Sequence, residues 1–169
     1  RAAISLEVLT QDLHVLDEGL ELGEAGGLHL AHALAREVHD LADVLERLAA
    51  GAARAVELGG DPASVLVDPT HDFGKNTWHS LELVRGTDHI VALGFPVLMA
   101  LSRKDFVGET LGLEVDERLE GTLAATALAA RLGAGVFRAH DVAATRRTLD
   151  MVAAVRGDLP PARAVRGLA

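Results

Sequence analysis

Charged and hydrogen-bonding side chains are concentrated in three short segments of the sequence. They are DPTHDFGK (68–75), SRKD (102–105) and RAHD (138–141). The cations in the second and third segments suit phosphate, because arginine gives paired hydrogen bonds and lysine adds a point charge. Asp68 accepts hydrogen bonds only, so it can receive them from a ring N–H and an amino group. The segments therefore predict a site with an anion at one end and a donor-rich heterocycle at the other.

Each polar segment ends or follows a short apolar run of the kind that forms a buried strand. The three predicted strands are SVLVD (64–68), FPVLMAL (95–101) and GVFRAHD (135–141). Ligands of α/β barrels and open parallel sheets bind at the carboxyl ends of the strands. We therefore expect Asp68, Lys104 and Arg138 to converge on one cavity at a common rim.

Helical patterns separate these strands and place the chain in the α/β class with a parallel sheet. The predicted helices cover 41–60, 76–93, 116–133 and 142–157. Gly133 and Gly157 stand where helices commonly end. No GxGxxG motif follows a strand, which counts against a dinucleotide-binding fold. Residues 1–40 are left poorly assigned, with a helical N-terminal segment as one option, and 158–169 are predicted to be an exposed tail.

Composition excludes several classes of protein. The chain has 169 residues and is 49% hydrophobic, enough for one domain with a core. Its 25 acidic and 16 basic residues give a net charge of −9, which argues against nucleic-acid binding. There is no cysteine for a disulfide or a thiolate metal site. No apolar run approaches the roughly 18 residues of a membrane span, so we expect a cytoplasmic protein without a membrane partner.

Each polar segment also has a simpler explanation, which the sequence leaves open. Asp68 before Pro69 could merely cap a turn, and 102–105 could be a solvated loop. Arg138 and His140 alternate along a strand and share a face, where they could form a buried pair.

Three histidines between positions 71 and 89 suggest no ligand role. We expect His71, His79 and His89 to be structural or surface residues. His71 and Asp72 match no strong metal signature.

The three segments together resemble those of dihydropteroate synthases. The sixth strand of that family carries a DPGxGFGK-like segment, which is DPTHDFGK here. Its seventh strand ends in SRK, here 102–104, and its eighth in RVHD, here RAHD at 138–141. The helix ERLEGTLAATALAA (117–130) also matches. The resemblance covers residues 42–157 and implies the C-terminal portion of a (β/α)₈ TIM barrel, about three βα units of residues 41–157 preceded by helical segments.

The resemblance implies a transferase of folate biosynthesis that condenses a pterin pyrophosphate with p-aminobenzoate and releases pyrophosphate. By match of motif, Asp68 would bind the pterin. Phe73, Ser102 and Arg103 would line the p-aminobenzoate pocket, and Lys104 would contact both substrates.

The pyrophosphate side of the site is implied in the same way. Arg138 and His140 would hold the pyrophosphate and, with Lys104, would form the catalytic set. Mg²⁺ assists the pyrophosphate in this family, but the usual Asn-bearing loop has no counterpart here, so no metal ligand is predicted in this chain. A homodimer is one option for the oligomeric state.

Two positions depart from the family pattern. Thr70 and Asp72 stand where the family usually has glycines, and side chains make a positive φ less favourable. Asp72 also adds negative charge beside Asp68. In this respect the sequence is most similar to the divergent second paralogue of the family in actinobacteria.

Other functions remain open alongside the transferase. The chain could be a non-catalytic paralogue that keeps an anion site, a related barrel that transfers a methyl group to a corrinoid, or a truncated fragment that is inactive alone. In an open half barrel we expect low stability and partial exposure of Val65, Val67, Val97 and Leu98.

Overall fold

The computed structural model describes residues 41–166, so the predictions made for 1–40 lie outside the described residues. Six α-helices lie within this part of the chain: α1 Leu41–Glu57, α2 Thr77–Arg85, α3 Thr87–Val91, α4 Asp105–Leu111, α5 Leu119–Arg131 and α6 Val142–Arg156. The strands are β1 Leu98–Met99 and β2 Val136–Phe137, and two 3-10 turns cover Pro62–Ser64 and Val115–Glu117. Within 41–166 no helix has both the length and the apolar character needed to cross a bilayer.

Three parallel segments lie side by side in the order in which they follow along the chain. β1 pairs with β2 in parallel, with Leu98 opposite Val136. Val67 pairs with Val97 through a single parallel bridge. The predicted strands are therefore present but short, and the first is one bridge only. Because the three segments are parallel and adjacent, the polar residues that follow them emerge at the same edge.

The helix predicted over 76–93 is divided into α2 and α3 at Gly86. Asn76 caps α2: its side-chain oxygen accepts the N–H of His79 at 3.0 Å, and its own N–H donates to the His79 ring at 3.3 Å. A Cβ at Gly86 would lie 2.5 Å from a methyl group of Leu41. Glycine therefore allows α1 to pack closely against the junction between the two helices.

One apolar core joins the helices to the parallel segments. It includes side chains of α1, α2, α4 and α5 together with those of the strands. The expectation that Val65, Val67 and Val97 are partly exposed is wrong, because they are 4%, 3% and 2% exposed. They are covered because they pack in one cluster with apolar side chains of the neighbouring helices. Leu98 is half-buried, as expected.

The two C-terminal helices end close to their predicted limits. Gly157 follows α6 with φ of 87°, and Gly133 lies two residues beyond α5 with φ of 108°. These are left-handed conformations, which glycine adopts without a Cβ clash. α5 begins at Leu119 rather than at residue 116, after a 3-10 turn.

Candidate functional site

The loop that follows Val67 is held by local hydrogen bonds. Asp68 Oδ1 accepts the N–H of Thr70 at 2.8 Å, so Asp68 does cap a turn. Among residues 41–166, no hydrogen bond reaches its second oxygen. Lys75 Nζ donates to the hydroxyl of Thr70 at 2.9 Å and to the carbonyl of Phe73 at 3.2 Å. Burial lowers the pKa of Lys75, and the carboxylate of Asp68 opposes that shift.

Three non-glycine residues of the site adopt positive φ: Thr70 at 51°, Asp72 at 67° and Arg103 at 57°. The first two are the positions where the family usually has glycine. A left-handed conformation costs an L-residue about 1–2 kcal/mol. These residues therefore keep it only because other contacts hold the loop in place.

Asp72 supplies several of those contacts. Its Oδ2 accepts the N–H of Asp105 at 2.6 Å and that of Phe106 at 3.4 Å, so it caps the start of α4 from another loop. Its Oδ1 accepts the hydroxyl of Ser80 at 3.1 Å. Sequence reasoning treated Asp72 as added negative charge and as a departure from glycine, and did not identify it as a cap. The signal that could have identified this role is a side chain with an acceptor at a position that needs positive φ.

The side chains of Ser102 and Arg103 are engaged within the protein. Ser102 Oγ accepts the N–H of His140 at 3.1 Å and lies 3.0 Å from its ring Nδ1. The guanidinium of Arg103 donates to both oxygens of Asp141 at 3.2 and 3.3 Å and to Asp116 at 3.3 Å. The hydrogen bonds to Asp141 raise the pKa of Arg103. Its charge is therefore already paired with carboxylates.

The strained backbone of Arg103 is held on both sides by residues at and near the start of α5. Its N–H donates to the hydroxyl of Thr122 at 3.1 Å, and its carbonyl accepts from Arg118 at 3.0 Å. Arg118 also pairs with Asp105 at 2.8 Å. A Cβ at Gly108 would lie 2.4 Å from Arg118 Nε, so glycine leaves the space that this guanidinium occupies.

Lys104 and Phe73 border an open pocket. Lys104 Nζ lies 4.2 Å from the centre of the Phe73 ring and donates to the carbonyl of His71 at 2.9 Å. Phe73 is 63% exposed. The pocket has a volume of about 270 Å³. Its lining consists of Asp72, Phe73, Arg103, Lys104 and Asp105.

His71 precedes Asp72 in the sequence, and its side chain is buried, with the residue 1% exposed. Its ring lies 5.9 Å from that of Phe106, and neither ring nitrogen has a hydrogen-bond partner. Burial, followed by the charges of Lys75 and Lys104, lowers the pKa of His71 to about 3. His71 is therefore a buried, neutral side chain.

Arg138 and His140 follow β2 and are both exposed, so the suggestion that they form a buried pair is wrong. The N–H of Arg138 donates to the carbonyl of Met99 at 3.1 Å, which fixes it beside β1. Within the described part of the chain its guanidinium forms no ion pair or hydrogen bond. Asp68, Arg138 and His140 lie at the same sheet edge as the pocket but do not line it.

The chemistry of the described residues does not fit a resident divalent metal. Residues 41–166 contain no group of three His, Asp or Glu side chains placed to hold an ion. No step is therefore assigned here to magnesium.

The chain is similar to known proteins. Residues 31–140 match the family model described as "Pterin binding enzyme". A relative from Mycobacterium leprae named "Inactive dihydropteroate synthase 2" is 63% identical over 127 residues, 75% of this chain and 44% of the relative. The dihydropteroate synthase of Bacillus subtilis is 36% identical over 68% of this chain and 40% of its own length. The chain thus spans less than half the length of these relatives.

Solved structures agree with the sequence comparisons. The dihydropteroate synthase of Thermus thermophilus has a TM-score of 0.66 and 42% identity, over 72% of this chain and 49% of that one. The same enzyme in complex with 4-aminobenzoate gives a TM-score of 0.65 over 69% and 47% of the two chains. These matches confirm the expected fold, the C-terminal part of the α/β barrel of these enzymes. The chain belongs to the pterin-binding enzyme family that includes the dihydropteroate synthases.

Proposed function

We propose that this protein is a dihydropteroate synthase-like paralogue that binds a pterin pyrophosphate but does not condense it with p-aminobenzoate. The observation that carries the proposal is the contrast between two arginines at neighbouring strand ends. Arg138 is exposed with an unpaired guanidinium among the described residues, whereas Arg103 is bound to Asp141. The guanidinium of Arg138 is therefore available to an anionic ligand, whereas the guanidinium of Arg103, on the side of the second substrate, is already paired with a carboxylate of the protein.

The pterin would bind near Asp68 and the diphosphate near Arg138 and His140. The open oxygen of Asp68 can accept hydrogen bonds from a ring N–H and an amino group. Arg138 offers a fork of donors to phosphate oxygens, and His140 lies beside it, oriented by Ser102. If the C–O bond to the pyrophosphate broke, cations at this position would stabilise the charge that develops on the leaving oxygens.

The transferase itself is the second candidate, because relatives such as the Bacillus subtilis protein are named dihydropteroate synthase. In that case the aryl amine would attack the pterin methylene carbon as pyrophosphate leaves. Magnesium is proposed only as a counter-ion of the bound diphosphate. A cytoplasmic location and a homodimer stay predictions.

Calorimetric titration of the chain with dihydropterin pyrophosphate, with and without Mg²⁺, tests the binding. An assay for pyrophosphate release after addition of p-aminobenzoate tests turnover. We expect binding of the pterin pyrophosphate and no release. Absence of pterin binding would reject the proposal, and stoichiometric release with p-aminobenzoate would favour the transferase.

A further inference from the structure

We infer that the pocket beside Phe73 takes an uncharged aromatic amine and rejects an aromatic carboxylate, with Asp72 as the specificity-determining residue. This deepens the proposed function, on which it rests for the role of the pocket as the place of the second ligand.

The charged groups in and beside the pocket already balance one another among the described residues. Besides the lining side chains, three charged groups are bonded to them: Asp116 and Asp141 to Arg103, and Arg118 to Asp105. Among the described residues, four carboxylates and four cations therefore lie in or beside the pocket. They are Asp72, Asp105, Asp116 and Asp141 together with Arg103, Lys104, Arg118 and Lys75, whose ammonium donates to the carbonyl of Phe73 and whose charge interacts with that of Asp72. A carboxylate that enters would add a fifth negative charge to this group.

Among the lining residues, Arg103 has the side chain best suited to bind a carboxylate. Its paired N–H donors, however, are already bonded to a carboxylate of the protein. It engages both oxygens of Asp141 in the paired arrangement that a ligand carboxylate would need. Thr122 and Arg118 hold its backbone, so the side chain cannot be redirected by a simple loop shift. Displacing Asp141 would leave a half-buried carboxylate without its partner.

Asp72 cannot withdraw from the pocket without a cost to the fold. It is held by the backbone of Asp105 and Phe106 on one oxygen and by Ser80 on the other. Rotation of the side chain would uncap α4 and release the loop that carries Phe73. Its negative charge is therefore a fixed feature of the pocket wall.

The remaining surface suits a neutral ring. Phe73 is 63% exposed, and the ammonium of Lys104 lies 4.2 Å from the centre of its ring. Aromatic rings stack on such a surface without needing a charge. An amino group on the ring could donate to the carboxylate of Asp72 or Asp105, which are the acceptors of the lining.

The test compares two ligands of the same shape, 4-aminobenzamide and 4-aminobenzoate, by titration followed by NMR. We expect the wild-type chain to bind the amide about tenfold more tightly, the size expected for one charge in an open, hydrated pocket. Asp72→Asn should shift the affinity ratio about tenfold toward the benzoate. Asp141→Asn should shift the ratio in the same direction, because it frees the guanidinium of Arg103. This second variant tests the inference even if Asp72→Asn does not fold, since the Asp141 side chain does not cap α6.

Asp150→Asn is the matched control, because Asp150 lies in an ion pair with Arg146 on α6, away from the pocket lining. It removes the same charge and should leave the wild-type ratio unchanged. The inference is overturned if wild type prefers the benzoate, if neither variant shifts the ratio, or if neither ligand binds up to its solubility limit. Titration of the same samples with pterin pyrophosphate separately reports on the proposed function.

Discussion

The carboxylate of Asp72 accepts a 2.6 Å hydrogen bond from the backbone N–H of Asp105, the first residue of α4. Thirty-three positions separate the two residues in sequence. The bond joins the loop after the first parallel segment to the helix after the second. In this way one side chain both caps a helix and shapes the wall of the pocket.

Two replacements of Asp72 should distinguish the stability contributed by its helix cap from the cost of its left-handed backbone. Asp72→Ala loses the cap, worth about 1 kcal/mol, and keeps a left-handed residue that costs about 1–2 kcal/mol. Asp72→Gly loses only the cap, since glycine adopts the 67° φ freely. We expect the glycine variant to be about 1 kcal/mol more stable than the alanine variant in urea unfolding. Equal stability of the two variants would show that the backbone at this position is not strained.

His71 should make the stability of the fold sensitive to acid. The pKa of His71 is about 3 in the folded chain and 6.5 for an ordinary histidine, so between these values the unfolded chain binds a proton that the folded chain does not. The free energy of unfolding should therefore fall by about 1.4 kcal/mol per pH unit as the pH drops below 6.5. Above pH 6.5 this stabilisation is fully present.

The variant His71→Leu should remove this component of the acid dependence, because leucine fills the buried site without binding a proton. Urea unfolding between pH 4 and pH 8 measures the slopes of the two chains. His89→Gln removes a histidine from the surface and should keep the steep slope of the wild type. An unchanged slope in His71→Leu would contradict the assignment.

Gly108 and Gly51 form a matched pair of helix glycines. Gly108→Ala should displace Arg118, which donates to the carbonyls of Leu113 and Arg103. We expect a net loss of about 1–2 kcal/mol in the free energy of unfolding. Gly51→Ala, with nothing within 4 Å of the added carbon, should gain about 0.5–1 kcal/mol from helix propensity. Stabilisation by both changes would show that Arg118 can move without losing its contacts.

Arg138 should dominate the binding of inorganic pyrophosphate. Arg138→Gln removes an exposed guanidinium and keeps the backbone bond to Met99. We expect about tenfold weaker binding in calorimetry, together with a reduced dependence on salt. Arg146→Gln, a loss of equal charge on α6, should bind pyrophosphate like wild type. Equal losses in the two variants would indicate only a general effect of net charge.

The sequence was sufficient to predict which segments carry the site residues and in what order they follow along the chain. The apolar runs before Asp68, Ser102 and Arg138 indicated three parallel segments, and their periodicity placed the polar residues at one edge. The division of the second helix at Gly86 was missed. That break depends on the close approach of Leu41, 45 positions earlier, which no local pattern contains.

The sequence by itself determined the α/β class, the order of the strand ends and the family resemblance, because these depend on local periodicity and on short motifs. Only the tertiary structure decided which charges are free. Arg103 and Asp141 lie 38 positions apart, and their pairing depends on the packing of α5 and α6 beside the sheet. Asp72 and Lys104 likewise bond to partners 33 positions away, so residue types alone could name these candidates but not their bonds.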